Sequence, residues 1–245
     1  MKRSRQAFTL IELILGLSLL TVVMLTIYSV FWGGIRLGYK AESAQDIYRQ
    51  AYWSLDIMTR ELENMVRYSF KESYPEKSCF IGAKDKITFI SPTPDGLKII
   101  RYYLLAEDYG TVHKTIVNYN SYKKNVRVSE RDHTAEATKI LVRQEMDFAR
   151  YVNEDGAEDK LTDDDDLEVI AVRVKADGLR FSYGSMESSE EGGAGAYTWL
   201  EEWGSTELPL GVKIELDLVA PEESEQVVHF TKEALIPTEV WSRVQ

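Results

Sequence analysis

Between Leu13 and Ile35 the chain carries no charged residue. A helix rises about 1.5 Å per residue, so a segment of that length covers the roughly 30 Å hydrocarbon core of a bilayer. The pattern predicts one membrane-crossing helix. Beyond it the periodicity changes without a break. Ala44, Tyr48, Ala51, Leu55, Met58, Leu62 and Met65 recur at steps of four and three, leaving Arg49, Asp56, Arg60, Glu61 and Glu63 to the other faces. That is the seam of an amphipathic helix. It is too short for a sustained coiled coil and reads as the seat of a globular core. No proline occurs before Pro75, so the two segments read as one helix from Phe8 to about Tyr68, roughly 90 Å long at about 1.5 Å per residue. Gly33, Gly34 and Gly38 are its weakest stretch, since each interior glycine costs up to about 1 kcal/mol. A functional hinge and a plain interfacial boundary both fit them.

From Lys86 the signals become strands and turns. Lys86 to Ile90 precedes Ser91-Pro92-Thr93-Pro94-Asp95-Gly96, Leu97 to Leu105 is rich in Ile and Tyr, and Asp108-Tyr109-Gly110 leads into Thr111 to Tyr119. This reads as an antiparallel meander. Further strands are expected at Lys139 to Arg143, Leu167 to Val174, Leu179 to Tyr183, Gly211 to Val219 and Glu225 to Leu235. Strands that follow one long helix make the class α+β. Trp199 and Trp203 lie four apart, as neighbours on a helical turn would. They read either as a plug closing one end of a sheet or as anchors for a partner.

Lys2, Arg3 and Arg5 precede the apolar run, so the positive-inside rule keeps the N-terminus in the cytoplasm and sends the remainder across the membrane. An ordinary secretory signal has a shorter apolar core and small residues before its cleavage site, whereas this run ends in Phe31-Trp32-Gly33-Gly34. An uncleaved signal anchor accounts for length and orientation. It leaves Glu12 unexplained, because an acid within a membrane span costs about 3 kcal/mol and by default marks function.

About two hundred residues follow the span, enough for one ordinary globular domain. The formal net charge of −11 repels nucleic acid, so no nucleic-acid partner is expected. Cys79 is the single cysteine and cannot form an intramolecular disulfide. Beside Phe80 and Ile81 it reads as a small buried hydrophobe. The stretch Glu154 to Glu168 holds nine acids and one lysine. An EF-hand frame with Gly156 at the sixth position puts Tyr151 first and Thr162 twelfth, where carboxylates are required. The stretch therefore reads as a solvated loop, and Ser188 to Gly195 as a second one. His113, His133 and His229 have no metal-ligand spacing, and no nucleotide or nucleophile motif occurs. No metal, cofactor or catalytic residue is expected, and the chain reads as a non-enzyme.

Ala7-Phe8-Thr9-Leu10-Ile11-Glu12 resembles the cleavage and methylation segment of type IV pilins and pseudopilins. The resemblance implies that prepilin peptidase cuts between Ala7 and Phe8 and N-methylates Phe8, making Glu12 the fifth mature residue. The family favours Gly where Ala7 stands, and Ala is the smallest replacement. The freed amine of Phe8 on one subunit and Glu12 on its neighbour would compensate each other in a helix bundle, offsetting a penalty neither charge bears alone. Loss of the leader also removes Lys2, Arg3 and Arg5 and leaves the chain still more acidic.

Leu179-Arg180-Phe181-Ser182-Tyr183, Trp199, Trp203, Leu208-Pro209, the alternating Val212, Ile214, Leu216 and Leu218, and the ending Leu235-Ile236-Pro237 resemble the J family of type II secretion minor pseudopilins. This implies a leader at 1–7, a transmembrane helix at 8–35, its amphipathic continuation at 36–70, and a periplasmic β-rich domain at 71–245 with an acidic insertion around 153–168. It also implies partners: prepilin peptidase, other minor and major pseudopilins, an inner-membrane assembly platform, the membrane itself and secreted cargo. The implied location is the inner membrane, single-pass with the N-terminus cytoplasmic, and then the tip of a pseudopilus. A minor pilin of a type IV pilus or competence system would carry the same N-terminus. The reading from another class is a membrane-anchored exported binding or enzymatic domain.

Overall fold

The computed structural model describes residues 9–70, 77–106, 138–153, 166–187, 196–205, 207–220 and 226–236. Helix α1 spans Leu10–Glu63, 54 residues without interruption. The chain divides into two compact units, Met1–Asp46 and Ile47–Gln245. In the first unit the described residues are the helix and its cap, with side chains almost all exposed.

The second unit holds the rest of α1, a short helix α2 (Phe148–Asn153) and eight strands: β1 (Phe80–Gly82), β2 (Ile87–Thr93), β3 (Gly96–Ala106), β4 (Lys139–Asp147), β5 (Asp166–Glu187), β6 (Ala196–Leu200), β7 (Gly211–Val219) and β8 (Val227–Leu235). All pairings are antiparallel, in the order β1-β2-β3-β4-β5-β7-β8, with β6 also on β5. This is the α+β architecture expected from a helical period giving way to strand patterning. The segment Thr111 to Tyr119, residues 154–165 of the acidic stretch Glu154 to Glu168 and the loop Ser188 to Gly195 lie outside the described residues, while Asp166 to Glu168, expected in the solvated loop, already belong to β5 and pair with β4.

The seam of α1 is seated by burial of Ile47, Ala51, Leu55, Met58, Leu62 and Met65 in one cluster with Phe89, Tyr102, Phe181, Ile214 and Leu216. Tyr48 departs from the expected seam. It is 47 % exposed, and Ile47 takes the inward place, because a straight α-helix repeats every 3.6 residues and drifts off a strict four-three register. The Ala44 side chain is outside the described residues.

Strand β5 organises the sheet. Its first half pairs with β4 from Asp166 to Val174, and its second half pairs with β7 from Val174 to Gly184, with a register shift between Val174 and Leu179. The sequence pattern predicts two strands here; the backbone instead absorbs Lys175 to Gly178 as an irregularity within one strand. Arg173 lies just before that segment, where the register against β4 shifts between Lys139 and Leu141, at φ 59, a left-handed conformation uncommon for a residue with a Cβ. The stagger leaves the backbone of Ile170 and Val172 without a strand partner on the β7 side. Helix α1 covers it: Ser54 Oγ shares its hydrogen between Gln50 O at 2.7 Å and Ile170 O at 3.2 Å, and the Gln50 amide donates to Val172 O at 3.2 Å and accepts from Val172 N at 3.0 Å. A side-chain amide thus completes the ladder where the next strand is absent.

Strand β2 runs to Thr93, further than the expected Ile90. Ile90 N–H turns away from β3 to donate to Cys79 O at 3.2 Å. Pro92, two residues on, therefore faces the same way, past the end of β1 where no ladder bond is lost. Pro94-Asp95 closes the hairpin on the Thr93–Gly96 pair; proline presets the first turn position, and Gly96 accepts φ 123. The short strands β1 and β6 carry too few residues for a period to register. They matter for closure, since the β1–β2 turn is fastened to β5 by Phe181 N to Lys84 O at 2.7 Å and Tyr183 Oη to Ala83 O at 2.7 Å. Cys79 is buried in the core, as its apolar neighbours implied.

A polar cluster locks α1 to β3 and β4. Arg143 Nε donates to Glu61 Oε1 at 2.9 Å, Arg143 Nη1 to Glu145 Oε2 at 2.9 Å, and the Tyr102 hydroxyl to Glu61. Burial opposes the Arg143 charge, but Glu61 outweighs it and holds the guanidinium more firmly protonated than usual. Burial first, and the Glu61 charge second, push the Tyr102 hydroxyl well above its ordinary 10.0.

Above pH about 10 the unfolded tyrosine loses a proton that folded Tyr102 keeps, so its contribution to stability is full below that pH and falls as pH rises past it. Tyr102→Phe is expected to cost about 1 kcal/mol at neutral pH and to flatten that alkaline decline, as read by urea unfolding at pH 7 and pH 10.5. A Cβ at Gly82 would lie 2.5 Å from the Tyr183 ring, whereas one at Gly204 would meet nothing within 4 Å. Gly82→Ala is therefore expected to destabilise by about 1–3 kcal/mol. Gly204→Ala serves as the neutral control in the same measurement.

Candidate processing and assembly segment

Helix α1 starts on a reciprocal cap. Thr9 precedes its first residue; Glu12 N donates to Thr9 Oγ1 at 3.4 Å, while Thr9 N and Thr9 Oγ1 donate to Glu12 Oε2 at 3.4 and 3.3 Å. This Thr-x-x-Glu capping box satisfies donors that a helix start leaves unpaired. The Glu12 carboxylate also lies in the first turn, at the positive end of the helix dipole. The acid thus has compensation inside its own chain. That contribution was legible in the spacing of Thr9 and Glu12, but the membrane setting drew the reading towards an intersubunit partner alone. The structure brings Glu12 to Thr9; Ala7 and Phe8 lie outside the described residues.

From Leu10 to Tyr39 the helix is long and apolar enough to cross a membrane, and it is the one such span among the described residues. Three of its hydroxyl side chains are satisfied locally. Ser18 Oγ donates to Leu15 O at 2.9 Å, and Thr21 and Thr26 Oγ1 donate at 2.8 Å to Leu17 O and Val22 O, so no hydroxyl among these three needs water. Gly33, Gly34 and Gly38 remain helical, and a Cβ at any of them would meet nothing within 4 Å. The helix does not break at the stretch where glycine content weakened it most.

The two tryptophans do not share a helical turn. Trp199 is on β6, edge-on to Tyr197 at 5.2 Å, with Lys213 Nζ 5.5 Å from its ring centroid. Trp203 lies beyond the strand, where its backbone N donates to Gly82 O at 2.8 Å and Nε1 to Glu207 O at 2.7 Å. Its ring packs against the core beside Tyr183 at 6.4 Å. Spacing of four suited a helix, but the aromatic and β-branched context of Tyr197 and Thr198 favours extended backbone. Among the described residues no group of three or more His, Cys, Asp or Glu is placed to hold a metal ion.

Residues 2–28 match the prokaryotic N-terminal methylation motif. The motif supports a type IV pilin-like protein and takes in Ala7, Phe8, Thr9 and Glu12 together with most of the apolar helix. It implies processing by prepilin peptidase and assembly with other pilin-like subunits. The apolar helix that follows fits the membrane anchor typical of pilins. No curated protein and no solved structure matches the chain. The methylation motif bears on the N-terminal segment alone, and the capping box is the geometry that this segment contributes.

Thr9→Val removes the hydroxyl on both sides of the cap. It is expected to weaken the first turn of α1 by about 1 kcal/mol, read as faster amide exchange at residues 11–13 in detergent micelles with the rest of α1 unchanged.

Proposed function

We propose that this chain is a minor pseudopilin of a type II secretion system, cut before Phe8, N-methylated there, and drawn from the inner membrane into the tip of a short periplasmic pseudopilus that supports protein export. The observation that carries the reading is the methylation motif at residues 2–28, which takes in the cap and most of an apolar helical span whose side chains are almost all exposed. A helix of this kind must be covered by lipid or by other helices, and a subunit that moves between the two uses the same surface twice. The choice of the J family rests on the strand and tryptophan pattern from Leu179 to Pro237. The role is structural, with the peptidase as the enzyme and this chain as its substrate. A minor pilin of a type IV pilus or competence system is the reading nearest to this one. It differs in the machine the subunit joins rather than in the chemistry of its N-terminus.

In the assembled state Glu12 would exchange part of its contact with Thr9 for the methylated amine of Phe8 on a neighbouring subunit. Intact-mass and peptide analysis of the chain from cells that hold the peptidase is expected to show N-methyl-Phe8 as the first residue. A retained leader under those conditions would overturn the reading. Glu12→Val is expected to leave cleavage intact and to abolish incorporation into sheared pseudopili, while normal incorporation would remove charge compensation from the mechanism.

A further inference from the structure

Strand β8 ends the sheet order, and among the described residues no strand lies on its outer edge. Ile236 N donates to Leu210 O at 3.1 Å and Gln226 O accepts from Ala220 N at 3.0 Å, so the even-numbered residues turn their backbone groups towards β7. With no register shift between β7 and β8, Val227, His229, Thr231, Glu233 and Leu235 turn theirs outward. The same five residues are exposed. The edge is nine residues long, and two of its outer side chains are large and apolar, Val227 at 41 % and Leu235 at 75 % exposure. An edge of this kind is a template for another strand.

The sequence of the edge selects which strand. Paired antiparallel with itself about Thr231, it sets Val227 opposite Leu235, His229 opposite Glu233, and Thr231 opposite its own copy. Apolar meets apolar at both ends, an imidazole whose Nδ1 is held 2.6 Å from Asp217 Oδ1 meets a carboxylate, and two hydroxyls meet at the axis, each a favourable cross-strand pairing. Because Thr231 turns its N–H and C=O outward, the central pair can exchange both hydrogen bonds, as a two-fold axis through it requires. Lys232 points inward, its Nζ 3.1 Å from Asp56 Oδ1. An inward lysine on an edge discourages unselective pairing, and in this one register it stands opposite Phe230 of the other copy, a ring that suits a cation.

We propose that the outer edge of β8 is a self-association surface, on which a second copy of this chain adds its own β8 antiparallel about Thr231 to continue the sheet across a two-fold axis. The surface belongs to the second unit alone and does not rest on the export reading.

The test uses the full chain in detergent micelles. The unaltered protein is expected to show a concentration-dependent dimer by light scattering. Thr231→Cys should form a disulfide-linked dimer on mild oxidation, while the parent, whose one cysteine is buried, should not. His229→Cys should also fail to cross-link, because residue 229 lies about 13 Å from its counterpart in this register at about 3.3 Å per residue, beyond disulfide reach. Thr231→Pro removes an outward N–H without touching the β7 ladder, and should abolish the dimer while the circular dichroism spectrum is kept. A parent that stays monomeric at all concentrations, equal cross-linking through positions 229 and 231, or a dimer that survives Thr231→Pro would each overturn the proposal. The last result would assign association to the apolar helix, and a monomer that binds only a different pilin-like subunit would assign the edge to that partner.

Discussion

The backbone of β5 at Ile170 and Val172 must be satisfied, and α1 satisfies it through Ser54 and Gln50. Two peptide groups in the middle of a buried sheet would otherwise face apolar side chains, at a cost of a few kcal/mol each. The contact also fixes how far along α1 the sheet sits. With Gln50 and Ser54 held to β5, Leu55, Met58 and Leu62 fall inward, and Glu61 comes within reach of Arg143 and Tyr102. A slide of one residue along the helix would turn that face by about 100° and lose all of these together.

The same stagger shapes the strand side. Because β5 changes partners at Val174, its two halves belong to two ladders, and the turn from one to the other is taken up between Val174 and Leu179, next to the left-handed Arg173. The β1–β2 turn then reaches the second half of β5, where Gly82 admits the Tyr183 ring and Trp203 closes over it. Helix seat and sheet closure are therefore two consequences of one staggered strand. The price is a sheet that, among the described residues, ends at β8 with no strand on its outer edge, guarded by Lys232.

At its N-terminal end α1 meets a different constraint. There the acid Glu12 enters an apolar run that has no charge again until Arg36, and the cap residue Thr9 supplies hydrogen-bond donors, and the helix start a favourable dipole, for it. A carboxylate placed one turn later would have neither. The methylation motif and the capping box thus share Thr9 and Glu12.

Periodicity determined the helix and its apolar span, β3, β7 and β8 nearly to the residue, and the α+β class, because each rests on local side-chain order repeated over many residues, whereas the N-terminal motif rests on the identities of Ala7 to Glu12 and their resemblance to a known segment. Short elements carried too little of it: β1 and β6 went unseen, and Trp199 and Trp203 were set on a turn that does not exist. Only the tertiary structure decided that Ile47 rather than Tyr48 faces inward, that β5 is one strand with an irregularity, and that Gln50 and Ser54 are ladder partners. Those facts depend on which backbone groups remain unpaired after the sheet has formed, and that is settled by residues more than a hundred positions away in the chain.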